Sequence, residues 1–181
     1  YISRVGAWSN DCWLPRDDFP SLPSLLNAAG YESFLCGKMH LDATRRYGYT
    51  DVGGNMNRSF KSGRGGRRRP DDLAAPNQIS GRFRDFHPGD QSGVLTHDLQ
   101  VTAGVQEFLA KRSRADKPFF LTAGYLAPHF PLIVPEAFWR NFEGKVPMPV
   151  LPPGHLDSLP LNYKHLRAGF QVVGVADDVV R

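Results

Sequence analysis

Cysteine is scarce in this chain of 181 residues, with only Cys12 and Cys36 present. Two cysteines cannot form a disulfide framework, and these two lack the spacing of a zinc site. A single bridge between them stays open, and two buried free thiols are the simpler expectation. Long apolar runs are also missing. No segment approaches the roughly 18 consecutive apolar residues that a membrane-spanning helix needs, so no membrane span is expected. The chain opens on Tyr1-Ile2-Ser3-Arg4, without a basic n-region or an apolar h-region. A signal peptide is therefore not expected within it, which leaves the compartment of the parent protein open. Charge of one sign is lacking except in one place. Lys61, Arg64, Arg67, Arg68 and Arg69 crowd a Gly- and Ser-rich stretch and account for the net charge of +4. No aromatic residue interleaves with them to stack a base, so a solvated loop is the expected reading and nucleic acid is not an expected partner.

What is present is ordinary for a globular domain. Apolar residues make up 41% and charged residues 22%, and the length suffices for one medium domain with its own core. Leu22, Leu25, Leu26 and Ala29 recur at helical spacing and predict a short helix over 21–30. Ser21 serves as its N-cap, Pro23 is tolerated in the first turn, and Gly30 is its stop. Tyr31 to Cys36 reads as a strand ending at Gly37, so Lys38 and His40 fall just beyond a strand end, where chemistry collects in open α/β sheets.

From about 41 to 93 the chain is rich in Gly, Arg, Asp and Pro and has no sustained period. It reads as a long irregular insertion with a short strand near 79–86, the kind of excursion that is more often functional than neutral. A helix follows over 96–112, with Val101, Val105, Phe108 and Leu109 on one face. Lys111, Arg112 and Arg114 at its end complement the helix dipole. Phe119 to Ala123 reads as a short buried strand of a parallel sheet, and Pro128, His129 and Pro131 come directly after it. A Pro-rich segment over about 145–160, densest at Pro147 to Pro153, is extended surface chain. A last helix is predicted over 162–180, with Leu166, Phe170, Val173 and Asp177 on one stripe. This order of elements predicts an α/β fold with a mainly parallel sheet flanked by helices.

Two small groups carry chemistry. Beyond a strand, residues at i and i+2 share one side, so the Lys38 ammonium and the His40 imidazole can converge on one ligand. A Lys suits a sulfate or phosphate oxygen as a point charge, and a His moves protons near neutral pH. The plainer alternative is a solvent-facing Lys38 with His40 capping a loop. His129 sits among prolines that fix the backbone, as an accurately held imidazole requires. Its plainer alternative is a buried histidine satisfied by a backbone carbonyl.

Gly30-Tyr31-Glu32-Ser33-Phe34-Leu35-Cys36-Gly37-Lys38-Met39-His40-Leu41 is similar to the second signature of the sulfatases, AGY-T---GKWHLG. Met39 stands where Trp is usual, as in the choline-sulfatase-like branch. Val5-Gly6-Ala7-Trp8-Ser9-Asn10 resembles the HGVWSN stretch that follows the family's Cys-x-Pro-x-Arg nucleophile motif. Lys117-Pro118-Phe119-Phe120-Leu121 with Pro128-His129-Phe130-Pro131-Leu132 is similar to KPFFL...PH-P, and 169–181 resembles the helix carrying DD--GR. The four segments stand in the family order along the chain.

The resemblance implies an alkaline-phosphatase-like fold and hydrolysis of a sulfate ester on a sulfated small molecule or glycan. It implies a formylglycine nucleophile and a calcium ion held by Asp and Asn side chains. The residue matching Lys38 bridges the nucleophile and a sulfate oxygen. The one matching His40 contacts the nucleophile's hydroxyl and helps remove its proton. The one matching His129 binds a sulfate oxygen and protonates the leaving alcohol. Residues 1–181 then form part of a catalytic domain, with the nucleophile and the metal ligands expected outside them and no activity expected of this part alone. Asp17-Asp18, Asp71-Asp72 and Asp177-Asp178 do not match the family's ligand positions and read as surface or packing carboxylates. Two other readings stand beside this one. One is a phosphodiester or phosphonate monoester hydrolase of the same superfamily; the other is a non-enzymatic module that binds polyanions through 61–69. Specificity is expected from 41–93, 130–165 and a C-terminal region outside residues 1–181, and oligomeric state is left open.

Overall fold

The computed structural model describes residues 18–41, 45–53 and 86–169. Cys12, Asp17, the basic run at 61–69, Asp71-Asp72 and Asp177-Asp178 lie outside these residues. So do the stretch at 5–10, most of the strand expected over 79–86, and the helix beyond 169. The chain divides into two compact units, Tyr1–Arg68 with Thr96–Leu126, and Arg69–Leu95 with Ala127–Arg181.

The first unit begins with α1, Leu22–Ala28. Ser21 and Ser24 close a capping box at its start: the Ser24 N–H donates to Ser21 Oγ at 3.1 Å, and the Ser21 N–H donates to Ser24 Oγ at 2.9 Å. Such reciprocal bonds satisfy donors that the first helical turn leaves orphaned. At the other end Gly30 adopts φ +91°. Its N–H donates to Asn27 O and that of Tyr31 to Leu26 O, the pairing that ends helices at a left-handed glycine. The helix therefore starts and stops where its sequence says. Its apolar stripe does not behave as expected. Leu22 and Leu25 are 58% and 60% exposed, while Pro23 is the buried residue. Leu26 of the same stripe is half-buried.

The turn at Gly30 feeds β1, Glu32–Gly37. It lies in a three-stranded parallel sheet between β2, Thr50–Asp51, and β4, Phe119–Gly124. The register with β4 runs unbroken from Glu32↔Phe119 to Gly37↔Gly124. Leu35 and Cys36 are buried, with Val101 of helix α2, Gly93–Ala110, over them. The Cys36 thiol lies 3.6 Å from Val101 O, and burial pushes its pKa up. It is a free thiol, as expected. β2 breaks into the stretch read as irregular, and α2 begins three residues earlier than its apolar face suggested, with Ser92 Oγ accepting the Leu95 N–H at 3.1 Å. β4 was expected to be buried, yet Phe119 and Ala123 are exposed, because β4 stands at an edge of the described sheet. Leu109 of α2 is likewise 48% exposed.

Arg112 does more than complement a helix dipole. It donates to Glu32 Oε2 at 2.9 Å and to Lys117 O at 2.8 Å. Its guanidinium also lies 5.3 to 5.4 Å from the ring centroids of Phe34, Phe108 and Phe119. One planar cation thus ties the end of α2 to the starts of β1 and β4, as Arg does where stacking and forked donation coincide.

In the second unit β3, Phe86–Pro88, runs parallel to β5, Leu132–Val134. Three further helices follow: α3, Glu136–Trp139; α4, His155–Ser158; and α5, Leu161–Gly169. The short elements β5, α3 and α4 are too brief to show a hydrophobic period, and none was expected. Residues 147–152 form no regular element, and α4 falls inside the stretch over 145–160 that was expected to be extended. Parallel sheets flanked by helices are the α/β architecture that the order of elements predicted.

Replacing Arg112 with Ala removes its bonds to Glu32 and Lys117 and uncovers three phenyl rings. It is expected to lower the free energy of unfolding by about 1.5–3 kcal/mol, read as a shift in the urea midpoint at unchanged slope.

Candidate active site

The end of β1 is shaped by two glycines. Gly37 has φ +97°, and a Cβ there would meet Gly124 O at 2.4 Å and Val101 Cγ2 at 2.6 Å. A Cβ on Gly124 would meet the Lys38 carbonyl oxygen at 2.0 Å. Bare Cα atoms on both strands let the peptide of Lys38 lie across the end of β4, where its N–H donates to Gly124 O at 2.7 Å. The left-handed turn at Gly37 then sends the chain out of the sheet, and the Leu41 N–H closes on Met39 O at 2.8 Å.

This turn carries the pair expected from sequence. Lys38 is half-buried and His40 exposed, and Lys38 Nζ lies 3.0 Å from His40 Nδ1. An ammonium has donors and no lone pair, so His40 Nδ1 accepts, and the neutral ring carries its proton on Nε2. The two side chains do converge, as their i, i+2 spacing beyond a strand predicted.

His129 belongs to the second unit. It is exposed, not the buried histidine of the plainer alternative. Its ring packs edge-on against Phe130 with centroids 5.6 Å apart. A carbonyl can only accept, so Nδ1 donates to Phe130 O at 3.1 Å, and in the neutral ring Nε2 keeps its lone pair. The prolines beside it, Pro128 and Pro131, follow cis peptide bonds.

Three residues were not singled out from sequence: Gly124, His97 and Asp98. His97 shares a helical face with Val94 and Val101, and all three are buried. That spacing was legible, whereas the partner of Asp98, a backbone N–H on another element, was not. Among the described residues no three His, Cys, Asp or Glu side chains gather as a metal site would require. Asp18 is exposed, as expected of a surface carboxylate.

The family model described as Sulfatase matches residues 2–149. The chain belongs to the sulfatase family. It is also 24% identical over 158 residues to an uncharacterized sulfatase, YidJ, of Escherichia coli (strain K12), an alignment covering 78% of this chain and 29% of the relative. The chain thus spans less than a third of the length of that curated relative. For a sulfatase the turn after β1 and the turn after β4 are where the resemblance puts Lys38, His40 and His129. Among the described residues of this sulfatase chain no set of side chains fits a calcium ion. No helix among them is long and apolar enough to cross a membrane.

Gly37→Ala forces a Cβ into the sheet at a left-handed position. It is expected to cost about 1–3 kcal/mol of stability, measured by urea unfolding. It should also speed hydrogen exchange at the Lys38 amide, whose bond to Gly124 O depends on the close approach.

Proposed function

We propose that this chain is part of the catalytic domain of a sulfuric ester hydrolase, with Lys38, His40 and His129 as its candidate catalytic residues. The contact between Lys38 Nζ and His40 Nδ1 just past the carboxyl end of β1 carries the reading. It supports the reading because a fixed cation beside an imidazole can stabilise a developing negative oxygen and handle a proton at the same place. We assign the formylglycine nucleophile and the calcium ligands to the protein beyond residues 1–181. Alone, this part is inactive. The substrate is a sulfated small molecule or glycan.

The geometry suggests how the two groups cooperate. While Lys38 donates to Nδ1, His40 has no lone pair to offer and its Nε2–H can only donate. A sulfate oxygen that draws the ammonium away frees Nδ1 to accept a proton. Substrate that engages the cation therefore also releases the base. His129, protonated on both nitrogens, keeps Nδ1–H on Phe130 O and gives the Nε2 proton to the departing alcohol. In this reading residues 41–93 and 130–165 select the substrate.

In the complete protein Lys38→Ala should lower turnover of a sulfate ester at least about a hundredfold with unfolding unchanged. Near-normal turnover would refute the role. His129→Ala should slow alkyl sulfates far more than nitrophenyl sulfate, since a phenolate leaves without a proton and an alkoxide does not. Equal losses on the two would reduce His129 to binding a sulfate oxygen. A wild-type preference for phosphodiesters or phosphonate monoesters would move the protein to the neighbouring reading.

A further inference from the structure

β4 ends at Gly124, and the chain reaches His129 through Tyr125, Leu126, Ala127 and Pro128. The first two of these residues are gripped from α2. Asp98 Oδ1 accepts the Leu126 N–H at 2.7 Å and the His97 Nδ1–H at 2.9 Å. The carboxylate is largely shielded, its side chain 15% exposed, and His97 is 5% exposed. One turn further along the helix, Thr102 Oγ1 lies 3.1 Å from the Tyr125 hydroxyl and donates to Asp98 O at 2.9 Å. The His97 Nδ1–H and the Leu126 N–H thus share the same carboxylate oxygen. Hydrogen bonds to a shielded carboxylate are the stronger kind, and this one ends on backbone, so it fixes the path of the chain instead of one side chain.

We propose that Asp98 is a positioning residue: from α2 it holds the Leu126 peptide, three residues before His129 in the chain. This inference rests on the proposed role of His129 for its kinetic consequence, though not for its structural one. Imidazole geometry matters because displacement of a catalytic group by about 1 Å can cost on the order of a hundredfold in rate. Asn retains a carbonyl oxygen at the same place, whereas Ala and Ser cannot reach Leu126.

The test uses the complete protein and has two readouts. In Asp98→Ala, hydrogen exchange at the Leu126 amide should rise at least about tenfold while amides of Ser33 to Cys36 stay protected, and Asp98→Asn should restore most of the protection. With an alkyl sulfate as probe, Asp98→Ala should lower kcat about ten- to a hundredfold with KM within about threefold. Asp98→Asn should recover most of that rate. Adding Asp98→Ala to His129→Ala should cost little more than His129→Ala alone, because both changes disable one group. Unchanged Leu126 protection, a loss in KM alone, or fully additive losses would each overturn the proposal. Should Asp98→Ala fail to fold, Asp98→Ser replaces it, and wild-type protection of Leu126 in that variant is equally fatal. A wild-type protein that hydrolyses no sulfate ester would sink the functional reading, and the Leu126 exchange would still decide whether Asp98 holds the chain.

Discussion

Everything that positions chemistry in the first unit depends on the parallel ladder between β1 and β4. Its register brings Gly37 opposite Gly124, and the two bare Cα atoms permit an approach that side chains would forbid. The Lys38 peptide lies across the strand end because of that approach, and the Lys38–His40 contact follows from the left-handed turn. Arg112 closes the same ladder at its other end, through Glu32 and three phenyl rings. A six-residue pairing is thus pinned at both ends, by close backbone contact at one and by a stacked cation at the other.

The parts of this arrangement that were legible in the sequence are those set by local rules. Ser21, Gly30 and Gly37 marked boundaries because capping and left-handed turns are decided within a few residues. The placing of Lys38 and His40 after a strand needed only the strand. Burial was less legible. The stripe of Leu22, Leu25 and Leu26 has helical spacing, yet Leu22 and Leu25 are exposed. Periodicity shows that a face exists and not what covers it. Arg112 looked like a terminal charge because two of its partners, Glu32 and Phe34, come from a strand far away in the chain. Asp98 was missed for the same reason.

Exposed apolar residues recur in both units: Leu22, Leu25, Leu99 and Phe119 in one, Val150, Leu161 and Tyr163 in the other. Parallel sheets ordinarily have both faces covered. The relative from Escherichia coli has more than three times the length of the aligned part.

The ladder also sets an order of events during synthesis. A ribosome delivers β1 before its six-residue partner, which is complete only when Gly124 has been made. Until then Leu35 and Cys36 wait without the strand that flanks them, beside a two-residue β2 that offers little pairing. Parallel pairing across so long a stretch of chain closes a large loop before it gains contacts. The nascent chain therefore carries an unpaired β1 while residues 38–124 are being translated, the interval in which a chaperone has most to do.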